Sequence, residues 1–128
     1  MKGFITHIER ETLSNNDYRR VIYTAKHSQL LLMSIEPGGE IGEEVHTLDQ
    51  FLRFEAGEGK VVLEGEETAV QGGDAVLVPE GTRHNVVNTG SEPLKLYTLY
   101  APPNHKDGVV QHTKADEYEE HFDGMTTE

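Results

Sequence analysis

Residues 73–88 read GDAVLVPEGTRHNVVN, and this stretch carries the strongest information about the fold. Its first part, Ala75 to Val78, is an apolar run typical of a short β-strand. Pro79 and Gly81 then favour a turn, because proline presets the backbone for a turn position and glycine accepts positive φ. A second run rich in β-branched residues begins at His84. The stretch therefore predicts two strands joined by a tight turn, with His84 at the start of the second strand.

Short apolar runs separated by turn residues also continue in both directions from this stretch. The 13 glycines and 5 prolines fall mainly between these runs, which indicates short strands. The predicted strands are Val21–Thr24, Leu30–Ile35, Gln50–Phe54, Lys60–Leu63, Thr68–Val70, Ala75–Val78, His84–Val87 and Leu94–Tyr100. A helix is predicted only over Lys114 to Phe122, where Tyr118 and Phe122 are four residues apart. The pattern as a whole predicts an all-β sandwich or barrel.

Five positions of the stretch follow the spacing G-x5-P-x-G-x2-H-x3-N, namely Gly73, Pro79, Gly81, His84 and Asn88. This spacing resembles the second motif of the cupin superfamily. The resemblance implies an all-β fold, the cupin-type double-stranded β-helix or jelly-roll barrel, with a short C-terminal helix or tail. It implies a single cupin domain over residues 1–128, with the core barrel at about 20–101 and the tail at about 102–128.

A variant of the first cupin motif lies upstream. Glu44 stands where the family has its first histidine, His46 occupies the second histidine position, Gln50 occupies the glutamate position, and Gly57 closes the motif. The resemblance therefore implies a metal site built from Glu44, His46, Gln50 and His84. Two imidazoles and one carboxylate are also the donor set that leaves coordination positions open on non-haem iron.

The altered ligand set keeps the charge of the usual one, because the carboxylate and a neutral donor have exchanged places. A divalent manganese, iron, zinc or nickel ion is the expected cofactor. Other interpretations of these residues exist: His46 and His84 as hydrogen-bonded barrel histidines, Glu44 as a solvated acid, and Gln50 as a group that orients a ligand. Asp49 would replace Gln50 if the turn shifted by one residue.

Glu44 and His105 are the candidate catalytic residues. His105 follows the last strong strand and would serve as an acid or base if its loop folded over the barrel mouth, whereas a surface loop would leave it in solvent. The favoured hypothesis is a metal-dependent isomerase, epimerase or lyase in which the ion acts as a Lewis acid. The alternatives are a non-haem dioxygenase that resembles the quercetinase-like or diketone-cleaving cupins, and a non-catalytic module that binds a small molecule.

Strand alternation predicts the lining of the pocket around the metal cluster. The residues expected to face inward are Leu52, Phe54, Thr82 and Val86. The pocket should then be largely apolar. Arg53 and Arg83 are expected to point away from it, which argues against a phosphorylated substrate. A small neutral or mildly anionic oxygenated compound fits this lining better.

The composition narrows the range of partners. With 11 Lys and Arg residues against 23 Asp and Glu residues, the formal net charge is −12, which argues against nucleic acid and membrane surfaces. The chain has no cysteine, so disulfides and thiolate ligands are excluded. No leader-like segment or long apolar run is seen, which predicts a cytoplasmic protein. The cupin resemblance also implies a small-molecule substrate and a homodimer, with Phe4 to Ile8 and Arg20 to Thr24 as candidate contact strands.

Overall fold

The computed structural model describes residues 2–117 and 120–128. Within these ranges the chain forms a short α-helix near the N-terminus, a series of β-strands and a 3₁₀ helix near the C-terminus. The elements are α1 (Ile8–Ser14), β1 (Arg19–Thr24), β2 (Gln29–Ile35), β3 (Asp49–Ala56), β4 (Glu58–Leu63), β5 (Glu66–Gln71), β6 (Ala75–Val78), β7 (His84–Asn88), β8 (Leu94–Ala101), β9 (Val110–Gln111) and the 3₁₀ helix (Lys114–Asp116).

The strands form two antiparallel sheets whose inner faces share one core. The larger sheet has the order β6-β3-β8-β2-β1-β9, and the smaller sheet has the order β5-β4-β7. Phe54 and Leu96 from the larger sheet pack in the same buried cluster as Val61 and Val86 from the smaller one. Burial of each such side chain contributes about 1.5–3 kcal/mol. The predicted all-β jelly-roll fold is therefore confirmed.

The strand predictions hold because the alternation of side chains in the sequence matches the burial in the sheets. Each of β1 to β8 lies within about two residues of its predicted bounds, and β7 begins at His84. Along β3, Gln50, Leu52 and Phe54 are buried, while Phe51 and Arg53 between them are only half-buried. Every second residue of the strand thus points into the barrel, as the sequence predicts.

Helix α1 was not predicted from the sequence. It lies against β2, β3 and β8, and Thr12 on its buried side is fully shielded from solvent. Lys95 on β8 donates to the carbonyl of Leu13 at 3.0 Å and to that of Asn15 at 2.8 Å. These contacts are distant in the sequence, so the local pattern of a seven-residue helix cannot reveal them. None of the helices in the described ranges is long and apolar enough to cross a bilayer.

The C-terminal region, expected to be a tail, contributes a strand to the larger sheet. The helical element at the predicted place is limited to the 3₁₀ helix Lys114–Asp116, and Tyr118 of the predicted helix lies outside the described residues. Upstream of it, β9 pairs with β1 and extends the larger sheet. Residues that follow the expected barrel boundary at about 101 therefore complete this sheet, because β1 offers them an open strand edge.

That edge of β1 was also the predicted dimer contact. The Val21 N–H donates to the Val109 carbonyl at 2.9 Å, and Thr24 exchanges hydrogen bonds of 2.8 and 2.9 Å with Thr127. Residues 4–7, the other candidate contact, form no strand. The backbone groups expected to pair with a second copy are thus used within the chain. The homodimer itself stays a prediction.

Two glycines with positive φ allow a test of the fold. Gly57 and Gly65 have φ of 93° and 82°, but a Cβ atom at Gly57 would lie 2.6 Å from the Pro93 carbonyl oxygen, whereas one at Gly65 would meet nothing within 4 Å. We expect Gly65→Ala to cost about 1–2 kcal/mol, the penalty of the left-handed backbone alone. Gly57→Ala should cost clearly more, because it adds a clash with backbone. Urea denaturation of both variants measures the difference, and equal losses would contradict the close approach.

Candidate metal site

The two sequence motifs meet where the chain between β2 and β3 runs antiparallel to β7. Glu40 lies opposite Val87, and Glu44 lies opposite His84. The N–H groups of Glu44 and His84 each donate to the other residue's carbonyl at 2.9 Å. One additional residue lies between these pairs on the Glu44 side, which makes a β-bulge. Gly42 lies in the bulge with φ of 109°. Because a one-residue shift turns each later side chain to the opposite face, the bulge makes Glu44 face the same side as His84.

Three of the predicted ligands come together at this point. One ligand atom from each of Glu44, His46 and His84 lies within 4.8 Å of the others. His46 Nε2 is 3.8 Å from Glu44 Oε2, and the two imidazole centroids are 5.1 Å apart. Metal–nitrogen and metal–oxygen bonds are about 2.0–2.2 Å long, so one ion fits between atoms at these separations.

Both histidines of this cluster, and also Gln50, have a buried and unsatisfied atom. Within the described residues, His46 Nε2, His84 Nε2 and Gln50 Oε1 have no hydrogen-bond partner and are shielded from solvent. His84 Nδ1 lies 2.8 Å from the Thr82 carbonyl oxygen, which can only accept, so Nδ1 carries the proton and Nε2 keeps its lone pair. A metal-binding histidine is oriented in the same way. These atoms therefore fit the donor set that a divalent transition-metal ion requires.

Gln50, the fourth predicted ligand, lies on β3 of the larger sheet. It pairs with Tyr100 across β3 and β8, and the Tyr100 ring packs edge-on against His46 with centroids 5.8 Å apart. The Gln50 Nε2 group donates to Thr98 Oγ1 at 3.1 Å, which leaves Oε1 as the free end of the amide. Asp49, the alternative to Gln50, is exposed and accepts a hydrogen bond from the Glu80 N–H at 2.9 Å.

Burial also sets the protonation of the cluster. It lowers the pKa of His46 to about 4, and electrostatic interactions with His84 and Arg19 act in the same direction. Burial raises the pKa of Glu44, while Arg19 and His84 oppose that rise. His46 is therefore neutral at pH 7, and its lone pair is available to an ion.

A pocket of about 540 Å³ opens above this cluster. Its wall is mostly polar and includes Arg19, Glu43, Glu44, His46, Asn104, His105, Glu117, Glu120 and His121. The predicted apolar lining is therefore wrong for this pocket. Leu52 and Val86 do face inward, but they pack into the closed core. The polar wall comes from the segment between β2 and β3, the start of β1 and the C-terminal region.

Arg19 is a pocket residue that the sequence analysis missed. As predicted, Arg53 and Arg83 are not among the residues that line the pocket; Arg53 pairs with Glu55 at 2.9 Å. Arg19 was not considered as a third cation, although it is two residues before Val21 on the same strand. Val21 is buried, so alternation along β1 predicts an inward Arg19. The sequence alone does not choose this face, because Val21, Ile22 and Tyr23 are all apolar.

The loop that carries His105 folds over the pocket. The N–H groups of Asn104 and His105 both donate to Gln29 Oε1, at 3.2 and 2.9 Å, and Gln29 Nε2 donates to the His105 carbonyl at 2.7 Å. The His105 ring packs edge-on against Tyr100, with centroids 5.4 Å apart. Burial, together with the charge of Arg19, lowers the pKa of His105 to about 3. His105 is thus a neutral imidazole in the pocket wall at pH 7.

Known proteins resemble this chain in sequence. The Cupin domain family matches residues 31–100. YrkC of Bacillus subtilis is 48% identical over 122 residues, a match that covers 90% of this chain and 66% of YrkC. A protein of Acanthamoeba polyphaga mimivirus is 37% identical over 113 residues, which covers 84% of this chain and 70% of that protein. This chain thus spans about two thirds of the length of these relatives.

Solved structures resemble it in fold. A Bacillus halodurans protein has a TM-score of 0.88 at 47% identity, covering 90% of this chain and 92% of that one. A Klebsiella pneumoniae protein with a double-stranded β-helix domain has a TM-score of 0.67 at 24% identity, covering 79% and 91%. The second likeness shows the fold alone. Both agree with the jelly-roll architecture described above.

The lowered pKa of His105 predicts how stability depends on pH. Unfolding returns His105 to a pKa near 6.5, so between about pH 6.5 and 3 the unfolded chain binds a proton that the folded chain excludes. We expect the metal-free protein to lose stability as pH falls through this window, by up to about 1.4 kcal/mol per pH unit from this group. His105→Gln should reduce that slope. Urea unfolding at pH 7 and pH 4.5 after EDTA treatment measures it.

His27 offers the matched control, because it is an exposed histidine. His27→Gln should keep the pH dependence of the wild type. A slope that His105→Gln leaves unchanged would contradict the buried, neutral state of His105.

Proposed function

This chain belongs to the cupin family, and we propose that it is a metal-dependent enzyme that acts on a small oxygenated substrate. The observation that carries the proposal is the convergence of Glu44, His46 and His84 at the candidate metal site, where both imidazole Nε2 atoms are buried without partners in the described part of the chain. An unsatisfied buried polar group costs about 1–3 kcal/mol. A shared ligand would offset that cost, and these donors suit a metal ion.

The proposed ligands are Glu44, His46, Gln50 and His84. Two imidazoles and a carboxylate suit manganese, iron, zinc or nickel, and the amide oxygen of Gln50 adds a weaker fourth donor. The Thr82 carbonyl orients the His84 ring for this role, and Thr98 orients the Gln50 amide. When bound, a divalent ion supplies a Lewis acid that polarises a substrate oxygen.

The chain's own residues would move the proton. His105 lies in the wall of the same pocket and is neutral at pH 7, so it is placed to take a proton from a carbon next to a carbonyl group and return it to the same or the neighbouring carbon. Its lowered pKa makes it a weak base and, once protonated, a strong acid. The Glu44 carboxylate is the second candidate, with one oxygen for the ion and the other for the proton. This chemistry corresponds to isomerisation, epimerisation or a lyase reaction on a carbonyl compound or hydroxy acid.

The charged pocket wall favours this proposal over an oxygenase. The dioxygenase hypothesis depended on an apolar lining that would suit an aromatic substrate. Arg19, Glu43, Glu117 and Glu120 lie in the wall instead, and such groups suit a small polar substrate. Oxygen chemistry and binding without turnover are therefore outcomes of the tests below.

Metal content is the first test. Protein purified without chelators or a metal-affinity resin should contain about one transition-metal ion per chain. His84→Ala should lose the ion, because the variant lacks the nitrogen donor opposite Glu44. Elemental analysis measures both, and circular dichroism checks that the variant folds.

His27→Ala is the control, since it removes an exposed histidine of the same chain. It should retain the metal. Wild-type protein that is free of metal, or a folded His84→Ala variant with full metal content, would refute the site.

Proton exchange tests the reaction class. A panel of hydroxy acids and carbonyl compounds incubated with the metal-loaded protein in D₂O under argon should contain a member that gains deuterium next to its carbonyl or carboxyl group. NMR detects this exchange, which His84→Ala should abolish. Oxygen uptake in air without exchange under argon would support the dioxygenase instead. Ligand-induced stabilisation without exchange or uptake would support the binding module.

A further inference from the structure

Arg19 is a buried cation in the wall of the candidate active-site pocket. It is the first residue of β1, and its side chain is only 4% exposed. It lines the same pocket as Glu44, His46 and His105. Of the residues described around this pocket, it is the one Lys or Arg side chain. A cation at this depth needs a function or a complete set of partners, because burial of an unpaired charge is costly.

The partners of Arg19 are incomplete. Nη1 donates to Gln111 Oε1 at 2.7 Å and to Glu117 Oε2 at 3.0 Å. Nε is buried and has no hydrogen-bond partner in the described ranges. A guanidinium group can bind a carboxylate with two parallel N–H bonds, but Glu117 engages only one nitrogen. The Arg19–Glu117 pair therefore leaves part of the cation's binding capacity unused.

Glu117 comes from the C-terminal region rather than from the barrel. It follows the 3₁₀ helix, and its side chain is 35% exposed at the pocket. Tyr18 O–H donates to the same carboxylate oxygen at 3.2 Å. A carboxylate on a partly exposed side chain thus occupies the place on Arg19 that a soluble carboxylate could take.

We propose that Arg19 anchors the carboxylate of a small organic acid, which takes the place of Glu117 on the guanidinium group and also engages Nε. The remaining oxygens of the ligand would then face the Glu44, His46 and His84 cluster. The contact between the ligand and this cluster rests on the proposed function. The inference narrows the substrate class to hydroxy or oxo acids. Arg19 acts here as a residue that determines specificity.

The surrounding charges favour a carboxylate over a phosphate. Glu43, Glu44 and Glu120 share the pocket wall with Arg19. Each additional negative charge on a ligand is repelled by these acids, and one guanidinium offsets one charge. A phosphate monoester carries about two charges at neutral pH, whereas a carboxylate carries one. Glu117 also demonstrates that a carboxylate reaches Arg19 with hydrogen-bonding geometry.

The test is calorimetric binding of glycolate, L-malate and succinate to the protein, with succinamide as the uncharged match for succinate and inorganic phosphate as a second anion. Ionic strength is held constant, and metal-free and zinc-loaded samples are compared. At least one of the three acids should bind, and binding of succinate should exceed that of succinamide by about tenfold or more, as expected for charge-assisted hydrogen bonds. Phosphate should bind more weakly than glycolate, because glycolate carries a single negative charge.

Two variants should change this binding in opposite directions. Arg19→Gln should weaken binding of the acid about tenfold, because the charge is lost. Glu117→Gln should tighten it several-fold, because a neutral amide competes less well for the guanidinium. A merely structural Arg19–Glu117 pair would not produce this gain, and Glu117→Gln tests the proposal even if Arg19→Gln fails to fold.

Arg20→Gln is the matched control. It removes the same charge from the next residue of the strand, where the side chain is 55% exposed and pairs with Asp17 at 3.9 Å. It should change binding less than twofold. No binding of any of the three acids, equal binding of succinate and succinamide, an equal loss in Arg20→Gln, or no gain in Glu117→Gln would each overturn the proposal.

The metal-free samples separate this inference from the proposed function. Acid binding that depends on Arg19 in a protein that takes up no metal would support the anchor and refute the metal-dependent enzyme. Metal uptake without any preference for the charged ligand would refute the anchor alone.

Discussion

The pairing of Glu44 with His84 across two antiparallel segments is the constraint on which the site depends. Each motif contributes donors from one of the two segments. The two backbone hydrogen bonds between Glu44 and His84 fix how the segments align, and so bring the donors together. The bulge at Gly42 then selects which acid faces the histidines. The Gly42 N–H donates to Asn85 Oδ1 at 2.9 Å, so the neighbour of His84 also holds the bulge in place. Register and side-chain direction together make the cluster.

Stability and function make opposite demands at this place. The barrel core is closed by apolar side chains, yet next to it lie unsatisfied donor atoms and a guanidinium group with an unpaired nitrogen. Groups of this kind lower stability unless a ligand satisfies them. Burial of the large apolar core offsets the free-energy cost of these unsatisfied groups. Their position marks the region where a ligand is expected.

The C-terminal region forms part of the wall of the pocket at the barrel mouth. Strand β9 completes the larger sheet, buried Gln29 holds the loop of Asn104 and His105, and Glu117 reaches Arg19. None of these contacts belongs to the two cupin motifs. Members of one fold family can therefore share the ligand cluster and differ in substrate, because part of the pocket wall comes from segments outside the motifs.

The sequence by itself determined an all-β fold and the bounds of β1 to β8 to within about two residues, and its resemblance to the cupins supplied the jelly-roll arrangement and the set of ligand candidates. These features depend on alternation, turn residues and fixed spacing, all of which are local properties of the chain. Helix α1, the covering of the β1 edge and the polar pocket wall were decided only by the tertiary structure. Lys95, Gln29 and Glu117 form these features through partners that are distant in the chain. No local pattern records such contacts, because their stabilisation arises only after the sheets have assembled.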